Sequence, residues 1–210
     1  MKLTEAVLKQ LIMEVLEEGM NTADQLPDDV YIVAFMHKEN KAMFAFSDSE
    51  GEVLMPWMSS TDEENDVWGD VSFWLPGSKK YPCSNACIVA VTEVSKGWGP
   101  LLYDLAMEAA TILGNGLTPD RLTVSDEAQS VWKYYLNKRT DIQVAQLDNE
   151  KDSFENGIDD DCTQKAARAS SKSGEWMNSP LSKVYSKEPT TLRQLEASGK
   201  FINKIPNLKF

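Results

Sequence analysis

Ala86-Cys87-Ile88-Val89-Ala90-Val91, then Lys96-Gly97-Trp98-Gly99, then Pro100 to Leu113: this stretch decides the fold. Its first six residues are apolar on both alternating faces, as an interior strand covered on each side requires. Gly97 and Gly99 bracket a tryptophan, and Pro100 suits the first turn of a helix. From there Leu101, Leu102, Leu105, Ala106, Ala109, Ile112 and Leu113 recur at three- and four-residue spacing, and Gly114-Asn115-Gly116 ends the helix. A buried strand that opens through paired glycines into a helix start turns free backbone N–H groups and a partial positive charge toward an anion. A tight turn alone also explains two glycines, so the surrounding sequence has to decide.

Upstream, the period is that of strands. Val30 to Phe35 is rich in β-branched and aromatic residues, His37 to Lys41 turns the chain, and Ala42 to Phe46 runs back. A second turn at Asp48 to Gly51 leads into Glu52 to Trp57, so the spacing predicts a three-stranded antiparallel meander with His37 solvated in its first turn. Asp62, Glu63, Glu64, Asp66 and Asp70 beside Trp68, Phe73 and Trp74 read as a solvated acidic loop, since no calcium-loop pattern is present. Downstream, Arg121 to Val124 reads as a short strand. Ser125 or Asp126 then caps a helix with Ala128, Val131, Trp132, Tyr135 and Leu136 on one face, and Asp141 to Leu147 is the next strand. The fold class that follows is α/β (α+β): a mixed central sheet with an antiparallel N-terminal meander and helices on both faces.

The chain of 210 residues, 42% of them hydrophobic, suits one core with appendages rather than two full domains. Three units are expected: an amphipathic helix in 1–20, a domain over 30–147, and a tail over 148–210. The helix is carried by Leu3, Val7, Leu8, Leu11, Ile12, Val15 and Leu16; it packs on its own domain or docks on a protein partner. The tail runs acidic from Asp148 to Asp161 and basic from Cys162 to Phe210, with scattered anchors at Trp176, Leu181, Tyr185, Leu192 and Phe201. It is too sparse to fold alone, so it wraps the domain or binds a partner.

The net charge of −12 falls entirely within the first 147 residues, an acidic body that repels phosphate backbones and argues against nucleic-acid partners. No run reaches the apolar length of a membrane span. Cys83, Cys87 and Cys162 are an odd count without zinc spacing, and His37 is the only histidine, so no metal site is expected and the thiols are read as reduced in a cytoplasmic protein.

With these elements in order, Val94-Ser95-Lys96-Gly97-Trp98-Gly99 resembles the Gln/Arg-x-x-Gly-x-Gly/Ala pyrophosphate loop of the GNAT superfamily of N-acetyltransferases. Leu122-Thr123-Val124 and the helix with Ala128, Trp132 and Tyr135 resemble that family's next strand and helix, so the likeness covers about residues 30–147. Met1 to Glu18 and Tyr185-Ser186-Lys187-Glu188-Pro189 resemble segments of GNAT-like proteins of tailed bacteriophages. The resemblance implies binding of acetyl-CoA or another acyl-CoA. Val94, Lys96, Gly97, Trp98, Gly99 and Pro100 would hold the diphosphate, and the pantetheine arm would lie between splayed strands ending near Glu93 and Val124. It also implies acyl transfer to an amine acceptor, with Glu93 as the base and Tyr135, or Tyr134, as a proton donor.

Two positions and one element depart from the family pattern. Val94 stands where Gln or Arg is usual, which removes a side chain and leaves the backbone donors. Trp132 stands where the family's thiolate-protonating tyrosine falls, and the helical pair between the first two strands is missing. Two readings therefore follow: an acyl-CoA-dependent N-acyltransferase of the host cytoplasm, or a catalytically inactive GNAT-fold interaction or virion-associated phage protein.

Overall fold

The computed structural model describes residues 20–55, 67–81, 84–148, 162–172 and 175–210. The predicted helix of residues 3–18, together with Asp62, Glu63, Glu64, Asp66 and Cys83, lies outside the described residues.

Eight strands form one mixed sheet: β1 (Tyr31–Lys38), β2 (Lys41–Ser47), β3 (Gly69–Trp74), β4 (Cys87–Val94), β5 (Leu117–Thr118), β6 (Ile142–Gln146), β7 (Lys183–Lys187) and β8 (Phe201–Asn203). Their order across the sheet is β6-β7-β5-β4-β3-β2-β1-β8. β1 to β4 are antiparallel neighbours, while β4–β5 and β1–β8 are parallel. Among the described residues four α-helices accompany the sheet: α1 (Gly99–Leu113) between β4 and β5, α2 (Asp126–Asn137) between β5 and β6, α3 (Lys165–Ala169), and α4 (Thr190–Ala197) between β7 and β8.

Strand alternation sets the core. Phe44 pairs with Ala34 on one side and Val71 on the other, and Val71 pairs with Thr92, so these residues share one face. Ile32, Phe44, Phe46, Val71 and Phe73 on that face form one buried cluster with Trp98, Leu102 and Leu105 of the loop and α1. The opposite face carries the row Val33–Ala45–Asp70–Glu93.

Of the expected third meander strand, Glu52 to Trp57, residues 52–55 are described and form no strand, and Pro56 and Trp57 lie outside the described residues. The Asp48 carboxylate accepts the amides of Glu50 and Glu52, both at 2.9 Å, and Gly51 takes φ +84°, so the chain winds there and keeps a single bridge, Ser47 to Val53. β3 arises instead from the stretch that reads as an acidic loop, because Val71 and Phe73 alternate with Asp70 and Ser72. Gly69 lets β3 begin under β4, since a Cβ there would lie 2.4 Å from the Glu93 carbonyl oxygen. The first turn is tighter than expected. His37 remains in β1 and only Glu39 and Asn40 turn, with Asn40 in the left-handed region at φ +59°.

The strand expected at Arg121 to Val124 is also absent. Asp120 Oδ1 accepts the amides of Leu122 at 2.7 Å and Thr123 at 2.9 Å, which bends the chain after Pro119. β5 lies earlier, at Leu117–Thr118. The thiol expectation changes as well: Cys162 is disulfide-bonded, and only Cys87 is a free, buried thiol among the described residues. The spacing of three cysteines could not show this, because Cys162 reaches Tyr81 and Ile88 only when the chain folds back over the sheet.

The basic C-terminal stretch, expected to wrap the domain or bind a partner, supplies interior structure. β7 inserts between β5 and β6, and β8 extends the other edge beside β1. The joint is Glu108 of α1, wholly buried, ion-paired with the equally inaccessible Lys187 of β7. The same carboxylate accepts the amides of Thr191 at 2.9 Å and Leu192 at 2.8 Å, capping α4. Removing one partner of a buried pair strands the other charge, so Lys187→Met is expected to cost about 3 kcal/mol in urea unfolding. A loss below about 1 kcal/mol would show that the amide bonds alone satisfy Glu108.

Candidate functional site

The candidate site lies where β4 ends and α1 begins. Ser95 fastens the loop to the residue before β3: its amide donates to the Trp68 carbonyl at 3.0 Å, and its Oγ accepts from the Trp68 amide at 3.2 Å. Gly97 turns the chain at φ +87°, a left-handed conformation that costs other residues roughly 1–2 kcal/mol. Gly99 has no such strain, and a Cβ there would make only ordinary contact with Val94, so its value lies in the space left open beside the chain.

Trp98, 7% exposed, turns inward and meets Phe46 edge-on with ring centroids 5.4 Å apart. Its side chain anchors the loop to the core. Lys96 is exposed, Val94 packs on the core, and Pro100 has no N–H to offer. The amides of Lys96, Gly97, Gly99 and Leu101 make no hydrogen bond among the described residues. The Gly97 carbonyl, by contrast, accepts the Asn21 amide at 3.0 Å, so the entering segment is tied to the far side of the loop.

Beside this loop the sheet opens. β4 and β5 pair only at Cys87–Leu117 and Ile88–Thr118, whereas β4 continues to Val94 with no β5 partner. Val91, in the middle of this interior strand, is 52% exposed. Two adjacent parallel strands therefore part directly below the glycine loop.

Glu93 sits on the solvent-facing side of this opening, opposite Asp70 of β3. Like charges directly opposite on neighbouring strands repel, and neither carboxylate makes a hydrogen bond or salt bridge among the described residues. Burial, and then the Glu93 charge, push Asp70 above the ordinary carboxylate range, against the pull of Lys41 and His37. The folded chain thus holds the Asp70 proton more tightly than the unfolded chain, and stability falls as pH rises from the ordinary to the raised value. Asp70→Asn is expected to melt higher than the parent protein at pH 7, with the advantage gone at about pH 3. Equal melting temperatures at both pH values would show that the pair is relaxed by solvent.

The aromatic residues expected near the reacting centre lie in the interior. Trp132 is buried between Tyr103 of α1, at 5.4 Å, and Tyr185 of β7, at 4.8 Å. Tyr135 is fully buried, and its hydroxyl donates toward Asp104 Oδ1 at 3.0 Å and the Pro100 carbonyl at 3.2 Å. Burial and the Asp104 charge push its phenol up. The structure thus brings Val94, Lys96, Gly97, Trp98, Gly99 and Pro100 together with Glu93, and sets Tyr135 beneath the first turn of α1 rather than on the strand opening.

Two residues of the site stand out only in the fold. Asp70 belongs to a strand whose alternating pattern, Asp70, Ser72 and Trp74 against Val71 and Phe73, was the available signal. Tyr103 follows Pro100 by three residues, placing it on the face of α1 that meets α2.

A separate groove of about 480 Å³ lies across the first turn of α1, lined by Asp24, Asp104, Arg139, Asp141, Lys187 and Thr191 among others. Its charges satisfy one another. Arg139 bridges Asp104 at 2.8 Å and Asp141 at 2.7 Å, and Lys187 donates to Glu108 and two threonine hydroxyls. Among the described residues no three His, Cys, Asp or Glu side chains gather as metal ligands, and no helix is long and apolar enough to cross a membrane. Compared with known proteins, the chain matches no family model, no curated sequence and no solved structure.

Proposed function

We propose that this chain is a GNAT-like, acyl-CoA-dependent N-acyltransferase that moves an acetyl or similar acyl group to an amine. The observation that carries this reading is the parting of β4 from β5 after two residue pairs, directly below the Lys96–Gly99 loop. A flat, fully paired sheet would leave no slot for a pantetheine arm. The strand sequence supports it further: four antiparallel strands, a helical crossover to a parallel fifth, a second helix, and a last pair with β7 lying inside β6.

The chemistry follows from the parts. A diphosphate takes the uncommitted amides of Lys96, Gly97 and Gly99 at the positive end of α1, so the missing Gln or Arg at Val94 removes a side chain without removing the cradle. The arm runs down the gap toward Val91 and Ile88. Glu93, exposed on the rim, is placed to take a proton from an incoming amine, and the uncovered acidic face around Asp70 attracts amines in their charged form.

A second reading, a catalytically inactive GNAT-fold interaction or virion-associated protein, is favoured by one observation. Trp132 and Tyr135 are both interior, and the Tyr135 hydroxyl is engaged by Asp104 and Pro100. Titration calorimetry with acetyl-CoA, followed by thiol release in the presence of an amine panel, separates the two.

Binding is expected in the micromolar range, and Gly99→Trp, which fills the space beside the loop, is expected to weaken it at least ~tenfold. No heat at millimolar acetyl-CoA would overturn the acyltransferase reading and leave the inactive one. Binding with no thiol release from any amine would select the inactive one. Where turnover is seen, Glu93→Gln is expected to lower it by about 100-fold or more at unchanged acetyl-CoA affinity; full activity would remove Glu93 as the base.

A further inference from the structure

The two edges of the sheet are built differently. β8, at one edge, is three residues long and runs into Lys204 and Pro206, which guard it against further pairing. β6, at the other edge, has five residues, Ile142-Gln143-Val144-Ala145-Gln146, with an unbroken register against β7. Short length, charge, proline and bulges are what ordinarily blunt a sheet edge, and β6 carries no charge, no proline and no bulge. It is also open to solvent, with Gln143 exposed and Val144 37% exposed.

The hydrogen-bond pattern fixes which backbone groups are left over. The Leu147 amide donates to the Ser182 carbonyl at 3.2 Å, which continues the β6–β7 register by one pair. Inward- and outward-pointing residues alternate in an antiparallel ladder, so Ala145 and Gln143 also turn their backbone groups to β7. Ile142, Val144 and Gln146 turn theirs outward, where they make no backbone hydrogen bond among the described residues.

We propose that β6 pairs antiparallel with β6 of a second copy of this chain, about a two-fold axis at Val144. That register uses the whole strand: Ile142 faces the partner's Gln146, Gln143 the partner's Ala145, and Val144 the partner's Val144. Ile142, Val144 and Gln146 each meet an outward-pointing residue and exchange both backbone bonds with it. The strand is its own complement in side chains as well. It holds no charge to be set against a like charge, and its exposed valine falls on the axis against its own copy, which hides both from water. An acidic or basic peptide would find no counter-charge within these five residues. The contact is small beside the roughly 1,000 Å² of a stable interface, and each copy carries a net charge of −12. Association is therefore weak, with Kd on the order of 10–100 µM, and tightens as salt screens the repulsion.

Sedimentation velocity from about 1 to 500 µM in about 0.5 M salt is expected to show a monomer giving way to a dimer. Over the same range, hydrogen exchange is expected to slow at the amides of Ile142, Val144 and Gln146, while Gln143 and Ala145, already bonded to β7, change little. Val144→Lys sets two ammonium groups against each other at the axis and is expected to weaken association at least ~tenfold, although it lowers the net negative charge. Val91→Lys, at another exposed valine three strands away, is expected to leave association unchanged. A monomer throughout the range would overturn the proposal. So would a dimer whose β6 amides exchange as they do in the monomer, or one that the two lysine variants weaken alike. Protected outward amides in a protein that sediments only as a monomer would also overturn it, since a segment of the same chain would then hold the edge.

Discussion

A carboxylate with no access to water holds the two halves of this chain together. Glu108 sits in the middle of α1, and its oxygens receive the Lys187 ammonium, two amides of α4 and the Thr190 hydroxyl. Burying two charges carries a desolvation penalty of several kcal/mol per ion, tolerable only when every donor and acceptor is matched. Here they are matched. The remaining ammonium protons go to Thr190 at 2.9 Å and Thr191 at 3.1 Å, and the α4 amides that would otherwise lack acceptors become part of the network.

That junction fixes more than its own neighbourhood. Because β7 lies between β5 and β6, the central sheet is incomplete until the chain has passed residue 187. α1 is consequently held against the sheet, β7 included, and is joined to α4 through Glu108, so its first turn has a set position. The loop above it is clamped separately, by Ser95 to Trp68 and by Trp98 to Phe46. Backbone amides can serve as an anion cradle only if the loop keeps its shape without a ligand, and these contacts provide that rigidity.

The gap between β4 and β5 has a local cause. After Thr118 the chain meets Pro119, and Asp120 then draws two amides onto its side chain, so the short strand cannot follow β4 any further. Arg121, buried beneath it, donates to Thr118 Oγ1 and the Leu181 carbonyl and ties this bend to the returning C-terminal segment. The polar sequence after β5 therefore explains an opening that a longer apolar strand would have closed.

Much of this was legible in the sequence, where local rules were strong. The apolar run 86–91, the glycine pair, Pro100 and the stripe from Leu101 to Leu113 specified the strand, loop and helix, because hydrophobic period and backbone freedom act over a few residues. What failed locally were the third meander strand, displaced to Gly69–Trp74, and the strand after α1, displaced to Leu117–Thr118, both through aspartates that bond their own backbone. Which distant groups meet depends instead on the folded core. Lys187 lies 79 residues from Glu108, Asp70 lies opposite Glu93 across a register that no single strand reveals, and Tyr103 reaches Thr92 only after α1 has folded over β4. Sequence encodes the period of each element and the chemistry of each side chain. The pairing of side chains across elements depends on register and on the crossing of helix over sheet, and those are set by the whole core at once.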